Sequence, residues 1–200
     1  MAILPLAVIV GLICFVYFRR DKDPEHRTFF LRKVALHLML VLGALGTVFV
    51  VGEIMADPGG IKGVLLAAAW LLPVAALSYL AWRKPKIATP YIWVASLLSI
   101  ILSISLALAS AWWTDVMNHR GPIVAMVTFA VGIPVAIWAR NWNTVGGLLL
   151  IVIGLAPVVC SLIAFGFGFA TAATSISVAS APSVISGLLY LLPERKLSNA

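Results

Sequence analysis

Charge is scarce in this 200-residue chain: Lys, Arg, Asp and Glu make up 10% of it, 14 basic and 7 acidic residues in all. None stands in the middle of an apolar run. An ionisable side chain inside a bilayer is costly and marks ion coupling or catalysis where it occurs, so this absence argues against an internal ion relay. Cysteine is scarcer still, with only Cys14 and Cys160 and no Cys-x-x-Cys pair. At about 1.5 Å of rise per helical residue the two are expected to differ in depth by roughly 15 Å, whereas a disulfide needs Cα atoms about 4.4 to 6.8 Å apart. That argues against a membrane thiol-disulfide relay. The three histidines, His26, His37 and His119, fall in loops or at a helix end, so no pair spans a bundle to ligate a haem.

Apolar residues are abundant instead. They make up 62% of the chain, and the mean hydropathy of +1.09 is far from the balance of a soluble domain. A hydrocarbon core about 30 Å thick needs roughly 20 apolar residues per helix, with a lower limit of about 17. Seven runs meet this: residues 2–18, 30–55, 62–82, 90–113, 122–139, 144–167 and 172–192. The expected fold is an all-α, polytopic integral membrane helical bundle of about seven transmembrane helices, one transmembrane domain over residues 1–200 with no soluble domain.

The basic residues give this bundle an orientation. Arg19, Arg20, Lys22, Arg27, Arg32 and Lys33, then Arg83, Lys84 and Lys86, then Arg140, then Arg195 and Lys196 fall in alternate gaps, which leaves Lys62 and Arg120 for the others. By the positive-inside rule the N-terminus is expected outside and the C-terminus in the cytoplasm. Residues 1–18 carry no charge and precede Arg19 and Arg20, the reverse of a removable signal peptide, so an uncleaved first helix is expected. Ile13 before Cys14 does not suit a lipoprotein cleavage site. The net charge of +7 does not point to nucleic acid, because the cations form short membrane-proximal clusters and no continuous face. The lipid bilayer, in a bacterial inner or plasma membrane, is the expected setting.

Residues 141–193 hold no charge and are too long for one span, so the chain must turn once, best at Gly166, Gly168 and residues 171–175. A re-entrant hairpin there would leave fewer spans; Arg195 and Lys196 favour the full crossing. In the first cytoplasmic loop, residues 19–33, Asp23 is a candidate N-cap with Pro24 and Glu25 in the first turn of a helix. Asp21, Asp23 and Glu25 alternate as in part of a calcium loop, but the glycine and distal glutamate are missing. No metal or other cofactor is expected. A seven-helix chain in this orientation has the outline of a microbial rhodopsin, but its last run carries no lysine for a retinal Schiff base.

Aromatic residues near the run ends read as interfacial anchors: Tyr17, Tyr79, Trp82, Tyr91, Trp93, Trp138, Trp142 and Tyr190 on the cytoplasmic side, Trp112 and Trp113 on the other. Trp70 is expected deeper, where its indole N–H needs a partner. Small residues recur at helical spacing in three runs. Ser96, Ser99, Ser103, Ala107 and Ser110 form one stripe; Ala125, Thr128, Gly132, Ala136 and Ala139 a second; Gly147, Gly154, Ser161 and Gly168 recur every seven residues. Such stripes let helix backbones approach closely in lipid, or line a polar pathway, or form a face for a partner subunit. Pro73, Pro134, Pro157 and Pro182 each free a backbone carbonyl within a run.

One polar site is expected on the outer surface. Glu53 and Asp57 are four residues apart, as are Asp115 and His119, and residues so spaced share a helix face able to hold a cation or a cationic solute. Lys62 and Arg120 offer simple surface pairing as the competing explanation. No nucleophile stands with a base, so the leading expectation is a non-catalytic multi-pass protein acting through helix packing with another membrane protein or by self-association. The alternative is a small transporter or channel for a neutral or weakly charged solute; a membrane enzyme is third.

Overall fold

The computed structural model of the chain describes residues 24–56, 59–109, 112–113, 123–165 and 170–192. Six helices make up nearly all of them: α1 (Pro24–Ala56), α2 (Gly60–Arg83), α3 (Pro85–Leu108), α4 (Ile123–Ala139), α5 (Asn143–Phe165) and α6 (Ala170–Leu191). Four stretches are long and apolar enough to cross a membrane, Thr28–Ala56, Gly60–Arg83, Pro85–Leu108 and Asn143–Ala164, and two shorter apolar ones are Met126–Ala139 and Ser180–Leu191. The run expected at residues 2–18 lies outside the described residues, as do Asp23, Gly166 and Gly168, whereas residues 171–175, expected in the turn, already belong to α6.

Each helix follows from its sequence. Pro85 opens α3 at a first-turn position, where its missing N–H costs no hydrogen bond, and Lys84 alone joins it to α2. Pro73, Pro90, Pro134, Pro157 and Pro182 all stand inside helices. Gly59 and Gly60, at φ 63° and 56°, take the left-handed backbone that the turn into α2 requires. The largest departure from expectation is α3, expected over 90–113. It ends at Leu108, and the Trp113 indole N–H donates to Ser105 Oγ at 3.0 Å.

Helix α4 is the centre of the bundle: it packs against each of the other five helices. Its residues 134–139 are buried on every side, as a helix apolar all round must be. The tightest pairing is between α5 and α6, and it runs through small residues. A Cβ on Gly147 would lie 2.9 Å from the Gly187 carbonyl oxygen, and one on Gly187 would lie 2.6 Å from that of Gly147. Gly154 meets α6 in the same way, at Val184, Ser180 and Ser183. Close backbone approach of this kind maximises dispersion contact, which must hold helices together where lipid is as apolar as leucine.

The same contrast yields a test. Gly187→Ala must push α5 and α6 apart and should cost about 1–3 kcal/mol, lowering the thermal midpoint in detergent. Gly52→Ala, where an added Cβ meets nothing within 4 Å, should leave that midpoint unchanged or raise it. Equal midpoints for the two variants would show that the α5–α6 contact is not the tight one.

Candidate functional site

Of the outer polar site, the described residues include Glu53 alone, exposed near the end of α1; Asp57, Asp115 and His119 lie outside them. Among the described residues no three His, Cys, Asp or Glu side chains stand together as metal ligands. His37 is exposed on α1 and its Nδ1 lies 2.7 Å from the Lys33 carbonyl oxygen.

The small-residue stripes lie inside the bundle. Ser96, Ser99 and Ser103 of α3 are 0%, 2% and 0% exposed, and Gly147, Gly154 and Ser161 of α5 are buried as well. Ser110 lies outside the described residues. Most of these hydroxyls turn back onto their own helix: Ser103 donates to the Ser99 carbonyl at 2.9 Å, Ser161 to Val158 at 2.9 Å and Thr128 to Val124 at 2.8 Å. A hydroxyl satisfied within its own helix presents a small, nearly apolar surface to its neighbour. Ser96 Oγ and Ser180 Oγ differ, being buried with no hydrogen-bond partner.

The densest polar chemistry lies at the end of the bundle that carries Arg32, Arg83 and Arg140, and it converges on the last turn of α4. An α-helix leaves its final carbonyls without intrahelical donors; here Ile137 O and Trp138 O accept from the backbone N–H groups of Arg140 and Asn141 just beyond the helix, and the other two are met by side chains of other helices. Tyr190 of α6, 0% exposed, donates its hydroxyl to the Ala136 carbonyl at 2.9 Å. Asn143 of α5, with its amide turned so that nitrogen faces the carbonyl, donates to Ala139 O at 3.0 Å. The oxygen of that amide then accepts from Arg32 Nη1 and Nη2 of α1 at 3.1 and 2.9 Å. Trp138 sends its indole N–H to Thr89 Oγ1 of α3 at 3.1 Å and stacks on Trp142, ring centroids 5.0 Å apart. Arg140 lies over the Trp82 ring of α2, 4.2 Å from its centroid. One turn of α4 and the residues that follow it thus hold all five neighbours.

This corrects the aromatic assignment. Tyr79, Trp82, Tyr91 and Trp93 are exposed, as interfacial anchors must be, but Trp138 and Tyr190 are buried parts of the interhelical network. Trp113 is likewise buried. Sequence reading missed the Arg32, Asn143 and Thr89 contacts altogether. It also passed over Ser180, Ser183 and Gly187 of α6, whose spacing of three and four from one another and from Tyr190 was the visible signal. Ser186 adds an interhelical bond there, donating to the Ala35 carbonyl of α1 at 3.0 Å.

Comparison with protein-family models, with curated proteins and with solved structures gives no match.

Tyr190→Phe removes the donor to Ala136 O while keeping the ring, and should cost about 1–3 kcal/mol because a buried carbonyl is left unpaired. The thermal midpoint in detergent measures it. Tyr79→Phe, on an exposed ring, should have no such effect, and a Tyr190→Phe midpoint equal to that of Tyr79→Phe would remove the clasp from the account of stability.

Proposed function

We propose that this is a non-catalytic multi-pass membrane protein that works through helix packing with a membrane partner, in an accessory, assembly, immunity or regulatory role. The observation that carries this reading is the division of its surface. Hydroxyls and the interhelical hydrogen bonds are turned inward and spent on holding the bundle, while the outward face of α3 offers Trp93, Leu97, Leu98, Ile101 and Ile104 to its surroundings. Glu53 and His37, the carboxylate and the imidazole whose side chains are described, are both exposed, whereas catalytic chemistry would need such a group in the interior. The bundle is read as about seven spans in a cell membrane, N-terminus outside and C-terminus cytoplasmic, with Arg32, Lys33, Arg83, Lys84, Lys86 and Arg140 on the cytoplasmic side.

A second reading is favoured by one specific feature: the buried, unpartnered hydroxyls of Ser78, Ser96 and Ser180. Buried polar groups without partners are unusual, and a solute-conducting path through the bundle would supply partners in passing. This would make the chain a small transporter or channel for a neutral or weakly charged solute.

Purification in mild detergent separates the two. The first reading expects a second membrane protein in constant ratio to this one. Isolation of the chain without it, together with solute flux in proteoliposomes that Ser99→Leu and Ser103→Leu abolish, would replace the first reading with the second. Orientation is tested by reporter fusions: a fluorescent reporter active only in the cytoplasm should light up when fused after Lys84 and stay dark after Gly59.

A further inference from the structure

Among the described residues, nothing covers α1 and α2 at the end of the bundle opposite the α4 clasp. On the outer half of α1, Val41, Leu45, Val48, Gly52 and Ala56 follow steps of three and four and are all exposed, and so are the flanking Ala44, Phe49 and Glu53. On the facing half of α2 only Gly63 and Ala67 are buried, whereas Ile61, Lys62, Val64, Leu65 and Leu66 are exposed. The two helices touch along that narrow seam, where Gly63 sits against the Ile54 carbonyl.

Two charges stand on this open face, and each is at the wrong end of its helix. Glu53 lies in the last turn of α1, where unpaired carbonyls carry partial negative charge, and Lys62 lies in the first turn of α2, where unpaired N–H groups carry partial positive charge. Among the described residues neither forms an ion pair. Both therefore gain more than an ordinary surface residue from an opposite charge brought alongside. They also share one level: Glu53 stands three residues before the end of α1 and Lys62 two after the start of α2, rises of about 4.5 and 3 Å from that end.

We infer that this α1–α2 face docks a second copy of the chain, about a two-fold axis along the membrane normal. Such an axis keeps every residue at its own depth and makes the interface self-complementary, so Glu53 of each copy meets Lys62 of the other. One chain carries both members of the pair, and charge complementarity thus selects its own copy over a partner of unrelated sequence. Gly52, with open space over its Cα, lets the opposing helix approach closely between the two ion pairs. The inference rests on the reading of the chain as one that acts through helix packing in the bilayer.

The test uses full-length chains carrying two different affinity tags, co-reconstituted in lipid nanodiscs or mild detergent, with co-capture of the second tag as the readout. Wild-type chains should associate. Glu53→Lys alone and Lys62→Glu alone should each weaken self-association by about tenfold, because two symmetry-related attractions become repulsions. Mixing the Glu53→Lys chain with the Lys62→Glu chain should restore it, since both cross-pairs are then of opposite sign. That restoration also shows that each variant is folded.

Three outcomes overturn the proposal. Wild-type chains that never co-capture rule out self-association, and variants that associate as wild type place it on another face. If the double variant in one chain restores wild-type behaviour while the mixture of single variants does not, the pair acts within one molecule. The broader reading fails differently: it is lost when no membrane protein of any kind accompanies the chain and flux is found, whereas co-purification of an unrelated protein without self-capture removes only the dimer.

Discussion

A helix terminus buried among other helices is costly, because its last carbonyls find no water and need donors from the protein. The C-terminal turn of α4 is buried by its neighbours; the backbone of Arg140 and Asn141 serves Ile137 and Trp138, and the rest depends on groups brought from elsewhere, Tyr190 for Ala136, Asn143 for Ala139, and Arg32 to hold the Asn143 amide in place. The same residues decide where α1, α5 and α6 can sit. Trp138 and Arg140 extend the requirement to α3 and α2 through Thr89 and Trp82. The arrangement of six helices is thus largely a solution to the problem of ending one of them indoors.

Away from that turn, adhesion comes from closeness rather than polarity. Gly147 against Gly187, and Gly154 against Ser180 and Ser183, allow α5 and α6 to touch almost backbone to backbone. Gly132 does the same for Met39 of α1 and Ser183 of α6. The serines and threonines of these faces mostly bond to carbonyls three or four residues earlier in their own helix, which lets them act as small packing residues. A stripe of hydroxyls is therefore not by itself a wet path, and Ser96 and Ser180 stand out because their oxygens lack such a bond.

The two ends of the bundle are different kinds of surface. At one, cations and aromatics are tied into the structure, with Arg140 on Trp82 and Lys33 on Phe29. At the other, Glu53 and Lys62 oppose the dipoles of their own helices and have apolar, exposed neighbours. A chain that spends its polar groups internally at one end and, among the described residues, leaves an acid and a base without an ion pair at the other has its fold and its opportunities for association in separate places.

Much of the helix plan was legible in the sequence. Runs expected to begin at residues 62, 122, 144 and 172 begin at Gly60, Ile123, Asn143 and Ala170, because apolar length and flanking charge or glycine are properties of the local chain. Spacing also identified Ser96, Ser99, Ser103, Gly147 and Gly154 as one-faced stripes. It did not tell which neighbour each stripe meets, and it read Trp138 and Tyr190, which are buried, as interfacial anchors. An aromatic near a basic helix end looks the same in sequence whether its polar atom reaches for water or for a carbonyl on another helix. Of the outer site, only Glu53 falls among the described residues, and its significance came from Lys62 across the turn, which forms no ion pair among those residues. The sequence by itself determined which segments are helical and apolar, since hydropathy and propensity act over a few consecutive residues. Only the tertiary structure decided that α4 is central and that Arg32, Asn143 and Tyr190 secure its end, because those contacts join residues far apart in the chain through orientation and distance that no local pattern encodes.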